Sequence, residues 1–176
     1  GNVWFATEGL LKFKDGEFTL YTTGNSDLPE DIVREIEIDS QDNLWLSSSR
    51  FNTGGLARFN GSQWKIYSPD NSPLPANLIQ GIAIDAHDNV WLAVADYVNK
   101  TCLAKISGEQ WSFVSEEDLG FTPYYFGNIR VNSRNEVCGA IDYSLSSLWD
   151  DNRTQLFIYK GASTEQFLID SIHNIK

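Results

Sequence analysis

Asp42-Asn43-Leu44-Trp45-Leu46 decides the fold, because the chain repeats it. Gly1-Asn2-Val3-Trp4-Phe5 precedes it, Asp88-Asn89-Val90-Trp91-Leu92 follows it, and Asn135-Glu136-Val137-Cys138-Gly139 is a degenerate fourth copy. The Trp positions lie 41 and then 46 residues apart, and Cys138 falls 47 residues later. A second block trails each copy: Gly9–Phe13, Gly55–Phe59, Cys102–Ile106 and Gln155–Tyr159. After each block come a Gly turn and an aromatic residue: Gly16 with Phe18, Gly61 with Trp64, Gly108 with Trp111, Gly161 with Phe167. Self-similarity at a period of roughly 40–50 residues, built from short apolar segments, is the signature of propeller blades.

The second module reads as four strands, a to d. Ile36-Glu37-Ile38-Asp39 alternates apolar and polar residues, which is strand period. Ser40–Asn43 is a tight turn of residues that hydrogen-bond their own backbone. Leu44–Ser48 and Leu56–Phe59 are the next strands, and Asn60-Gly61 is a strong hairpin signal before Gln63–Tyr67. Asp27-Leu28-Pro29-Glu30 carries helix-start chemistry, enough for a single turn and no more. The recurring tryptophans Trp4, Trp45, Trp91, Trp64 and Trp111 read as core. So do Ile36, Ile38, Ile82, Ile84, Ile129 and Val131, which precede the Trp slot by nine and seven residues.

The expected architecture is therefore all-β: a β-propeller of four-stranded antiparallel blades. The chain opens on a strand b, and Ser171–Lys176 matches a strand a. Pairing that last strand with Val3-Trp4-Phe5 would hide both edges and close four blades. The expected modules are 171–176 plus 1–24, then 25–70, 71–117 and 118–170, within one domain.

Bulk properties narrow the function classes. Of 176 residues, 41% are hydrophobic and 13% aromatic, which argues against disorder. No apolar run of about 18 residues exists, so no membrane-spanning helix is expected. A net charge of −11, from 13 basic and 24 acidic residues, would repel nucleic-acid phosphates. Cys102 and Cys138 occupy different module slots and read as small buried hydrophobes, with a disulfide as the alternative in an oxidising compartment.

From Asp39 to Trp64 the string Asp-Asn-Leu-Trp-Leu, Gly-Gly-Leu-Ala-Arg-Phe, Asn-Gly and Trp resembles the two-component regulator propeller repeat. Asn25-Ser26-Asp27-Leu28-Pro29 and Asn71-Ser72-Pro73-Leu74-Pro75 look like that family's linker between modules. Such repeats build sensor propellers of bacterial hybrid histidine kinases, which face the periplasm and are implicated in carbohydrate sensing. The resemblance implies a periplasmic or extracellular binding domain.

In a meander blade the a–b and c–d turns share one face, while the b–c and d–a loops share the other. Here the first face has only short turns, and the b–c loops of the second grow from Glu8-Gly9 to Ser49–Gly55, Asp96–Cys102 and about Ser144–Arg153. Variable loops on a rigid scaffold are where binding usually sits. The candidate ligand-binding residues on this face are Arg50, Phe51, Asp96, Tyr97, Tyr124, Tyr125, Tyr143 and Trp149. Aromatic faces beside carboxylates suit a sugar, with its apolar ring face and its hydroxyls. The two histidines, His87 and His173, sit in a turn and in the last strand, so no His-based dyad or metal cluster is legible. Asp42 and Asp88 read as turn formers, Asp150-Asp151 lacks calcium-loop spacing, and no cofactor motif is present. The leading reading is a non-catalytic ligand-binding or sensor-type propeller for a small molecule or glycan. The alternatives are a protein-interaction platform and a glycan-processing hydrolase or lyase, the last favoured by two inward carboxylates roughly 5–10 Å apart in a pocket, with one pKa raised.

Overall fold

The computed structural model describes residues 1–50, 53–95, 101–120, 125–142, 154–161 and 163–169. They form four antiparallel sheets in chain order. The first holds β1 (Val3–Thr7), β2 (Gly9–Lys14) and β3 (Glu17–Tyr21). The second holds β4 (Val33–Ile38), β5 (Leu44–Arg50), β6 (Thr53–Phe59) and β7 (Trp64–Tyr67). The third has β8 (Leu78–Ile84), β9 (Val90–Ala95), β10 (Cys102–Ser107) and β11 (Gln110–Val114). A single-turn helix, α1 (Glu116–Leu119), leads to the fourth: β12 (Phe126–Val131), β13 (Val137–Asp142), β14 (Thr154–Tyr159) and β15 (Thr164–Ile169). Every sheet is a meander, so the strand assignment read from the repeat holds.

Three apolar cores lie between successive sheets. Leu10, Leu44, Leu46 and Phe59 join the first to the second. Leu56, Ile82, Leu92 and Ile106 join the second to the third, and Leu103, Phe126, Ile129 and Phe157 join the third to the fourth. Because side chains alternate across a strand, each middle sheet buries both faces, which is why its strands read as nearly continuous apolar runs.

The Trp slot has a specific chemistry. Trp45 and Trp91 are 4% and 7% exposed, in the cores facing the third and fourth sheets. Their indole Nε1 groups donate to Asp39 Oδ2 at 3.0 Å and to Asp85 Oδ2 at 3.1 Å. Asp39 also accepts from the Gln41 and Asn43 backbone N–H groups and from Asn43 Nδ2, and Asp85 repeats this with His87 and Asn89. The pattern Asp-x-x-x-Asn-x-Trp thus ties the turn to the core in one network. In the fourth module Asn132 holds the turn by accepting from the Arg134 and Glu136 N–H groups, and Cys138 stands, half-buried, where the indole would be.

Asp42, Asp88 and Asn135 take φ of 63°, 59° and 66°, the left-handed region that Asp and Asn tolerate best among residues with a side chain. The turn-forming role of Asp42 and Asp88 was legible in the sequence. Asp88 and Asn135 do more: each accepts a backbone N–H from the turn of the preceding sheet, Ser40 N at 2.9 Å and Ala86 N at 2.8 Å.

The Asn-Ser-x-Leu-Pro linkers are also explained. Asn25 and Asn71 bridge the end of the preceding strand, accepting from the Thr22 and Ser68 N–H groups and donating to the Leu20 and Ile66 carbonyls. Ser26 and Ser72 bond back four residues, and Leu28 and Leu74 are then buried. Asp27–Glu30 forms no helical turn, because these side-chain bonds satisfy the backbone in an irregular loop instead.

The inner-strand core needs correction. Ile82 and Ile129 are fully buried, Ile36, Ile84 and Val131 are half-buried, and Ile38 is 48% exposed. Ile36 packs toward the first sheet, which has three strands among the described residues, and Ile38 borders an open cleft with Gly1, Asn2 and Trp4. The pairing of 171–176 with β1 lies outside the described residues. Both cysteines are free, and burial pushes the Cys102 thiol up to about 11, as expected of an inert apolar cysteine.

Candidate functional site

On the inner strands β4, β8 and β12, one set of alternate positions packs against the preceding sheet. The other set projects away from it: Glu35 and Glu37, Gly81 and Ala83, Asn128 and Arg130. In the middle strand these residues are small. A Cβ on Gly81 would stand 3.0 Å from Ile129 and 3.3 Å from Asn128 Oδ1, so β12 lies close against β8. Arg130 of the fourth sheet therefore reaches past the third to the second. Its Nη1 lies 3.9 Å from Glu35 Oε2 and 3.8 Å from Glu37 Oε1. Asn128 Nδ2 donates to Glu35 Oε1 at 3.3 Å, and Arg130 Nη1 donates to Asn128 Oδ1 at 2.7 Å. Gln80 accepts the Phe126 N–H at 2.9 Å beside them.

Burial pushes the pKa of both glutamates up, and the Arg130 guanidinium holds them partly down; Glu35 adds to the rise at Glu37. One guanidinium shared by two carboxylates leaves acceptor capacity uncompensated, so this polar belt can receive hydroxyl or ammonium donors. The alternation of Glu with Ile in strand a was readable as the belt's signal. The partnership of Glu35 with Arg130 was not, because they stand 95 residues apart.

The residues chosen from the loops fare differently. Arg50 ends β5, its backbone in register with Thr53. Tyr125 is 37% exposed, immediately before β12. Phe51, Asp96, Tyr97, Tyr124, Tyr143 and Trp149 lie outside the described residues. A separate cleft of about 600 Å³ includes the turn between β6 and β7, lined by Asp27, Asn43, Arg58, Asn60, Ser62, Gln63, Trp64 and Lys65. Among the described residues no group of three or more His, Cys, Asp or Glu gathers to hold a metal ion, and no helix is long and apolar enough to cross a membrane.

No family model matches the chain, and no curated protein matches it. Solved structures do. The extracellular domain of BT4673, described as a hybrid two-component system of B. thetaiotaomicron, superposes with a TM-score of 0.70 at 16% identity over 98% of this chain and 23% of that one. PorZ, a surface component of the type-IX secretion system of Porphyromonas gingivalis, gives 0.68 at 13% identity over 94% of this chain and 25% of that one. YCF48, solved with a D1 peptide, gives 0.56 at 12% identity over 96% of this chain and 50% of that one. At these identities the likeness is one of fold, and it agrees with the propeller architecture read from the repeat. The chain spans about a quarter of the first two structures' length.

Proposed function

We propose that this chain is a non-catalytic ligand-binding propeller of the sensor type, placed outside the cytoplasm, which receives a small molecule or glycan at its long-loop face. The observation that carries the reading is the pairing of a rigid, regularly repeated scaffold with b–c loops that lengthen along it. The fold likeness to an extracellular domain of a hybrid two-component system supports the location and the sensor role. A glycan panel titrated by calorimetry tests it, with Tyr97→Ala and Trp149→Ala alongside. Loss of at least tenfold in affinity in either variant is expected; equal affinity in both would move the site elsewhere. Glycan cleavage in the same mixtures would favour the hydrolase reading, for which the raised pKa values of Glu35 and Glu37 are the specific support.

The finer architecture of this reading is a four-bladed ring closed by 171–176 pairing with β1. Three features support it. The β1 residues Val3 and Phe5 are 48% and 44% exposed, whereas Leu44 and Leu46 in the same slots are 2% and 0% exposed. A cleft of about 460 Å³ opens at Gly1, Trp4, Ile38 and Asp42, and the Asp42 carboxylate has no turn donor among the described residues, unlike Asp88 and Asn135. Each inner strand shows a register shift near a pair of apolar residues three apart: Val33 and Ile36, Ile79 and Ile82, Phe126 and Ile129. Ile172 and Ile175 repeat that spacing 46 residues after the last pair. Deleting 171–176 is expected to lower the melting temperature or drive self-association through the bare β1 edge. A truncated chain that is equally stable and monomeric by light scattering would contradict closure.

A further inference from the structure

We propose that the cleft at the β6–β7 turn is an anion site, distinct from the long b–c loops, which takes a carboxylate or phosphate group through Arg58 and Lys65. In three modules a cation covers the Trp slot: Lys12 over Trp4, Arg58 over Trp45 and Lys105 over Trp91, at 5.4, 5.4 and 5.0 Å from the ring centres. Lysine performs this packing role twice, so a guanidinium is not needed for it.

The second module differs in the next strand as well. In register, Lys12 stands opposite Thr19 and Lys105 opposite Ser112, but Arg58 stands opposite Lys65. Like charges directly opposed on a sheet repel each other. Lys65 pairs with Glu109 of the third sheet at 2.5 Å. Among the described residues Arg58 makes no hydrogen bond and no ion pair within 4.0 Å; it covers Trp45, interacts with Glu109 only at longer range, and its Nε is buried without a partner. An unpaired buried guanidinium N–H is costly unless something supplies an acceptor.

The cleft supplies the room. Beside Arg58 and Lys65 it is lined by Asn43, Asn60, Gln63 and Trp64, the Asn43 amide being already bonded to Asp39. A planar carboxylate, or a phosphate, matches the guanidinium fork, relieves the Arg58–Lys65 repulsion and satisfies Nε. Asp27, which also lines the cleft, adds a negative charge that disfavours multiply charged ligands.

Arg58→Lys is the discriminating variant, because it keeps the cation over Trp45 as the sister modules do and removes the fork. Inorganic phosphate and glucuronate are titrated at low ionic strength, followed by calorimetry and melting temperature, with glucose as the neutral control. The wild-type protein is expected to bind at least one of the anions and to melt higher in its presence. Arg58→Lys should lose at least tenfold in affinity while melting, without anion, close to the wild type, and Lys65→Gln should lose several-fold. Preference between the two anions identifies the group recognised. Equal affinity in Arg58→Lys, binding of neither anion, or equal binding of glucose would overturn the proposal.

Discussion

Truncating Trp45 or Trp91 to alanine is expected to cost roughly 3–5 kcal/mol, a large fraction of the about 5–15 kcal/mol that holds an ordinary domain folded. Each indole fills a core between two sheets, and its loss leaves a cavity that a rigid pair of sheets cannot collapse into. Further loss follows because Asp39 or Asp85 keeps its buried charge but loses the indole donor. The two variants should behave alike, since the slots repeat. Chemical denaturation checks this: a midpoint unchanged within error in both variants would show that the slots are not core. By contrast, Cys138→Ala should have a small effect, because a half-buried thiol occupies the fourth slot.

The second large effect lies in the carboxylates beneath those tryptophans. Burial by itself would raise the pKa of Asp39 and Asp85, but the bonds donated by Asn43 and Trp45, and by Asn89 and Trp91, outweigh it and hold both below the ordinary 3.8. A depressed pKa stabilises the fold above the unfolded value, and that contribution is lost as pH falls through the folded one. Stability should therefore drop below about pH 4. Glu35 and Glu37 act with the opposite sign. Their pKa values lie above the ordinary 4.5, so their charged forms cost stability at neutral pH, and the cost is relieved as pH falls through the folded values. Asp39→Asn is expected to lose about 2–4 kcal/mol at pH 7, since an amide NH2 in place of one carboxylate oxygen is a donor and accepts from neither Asn43 nor Trp45. It should also flatten the acid limb of the stability curve. An unchanged acid limb in Asp39→Asn and Asp85→Asn together would rule this account out.

How far the sequence revealed the molecule depends on the range of the interaction. Strand order, turn chemistry and the Trp core rest on contacts within one module, so their signals recur at fixed spacing and could be read directly. The Asp-x-x-x-Asn-x-Trp network has the same local character, but the role of Asp39 as its hub emerged only from the structure. Ile38 was misread because its burial depends on what lies opposite it in the first sheet, which its own module cannot encode. The Glu35–Arg130 belt joins the second and fourth sheets, and the Arg58–Lys65 opposition becomes visible only once the β6–β7 register is known. The long-loop residues came from loop length rather than from a recurring pattern.

Hydrogen–deuterium exchange of the intact chain, with and without a glycan that binds in calorimetry, tests the central claim most directly. The expected result is slowed exchange confined to the long-loop face, in 96–102, 121–125 and 143–153, with the β-sheet amides unchanged and the glycan recovered intact. Protection confined to the short turns at 40–43, 60–63 and 86–89, or a glycan recovered cleaved, would contradict the account.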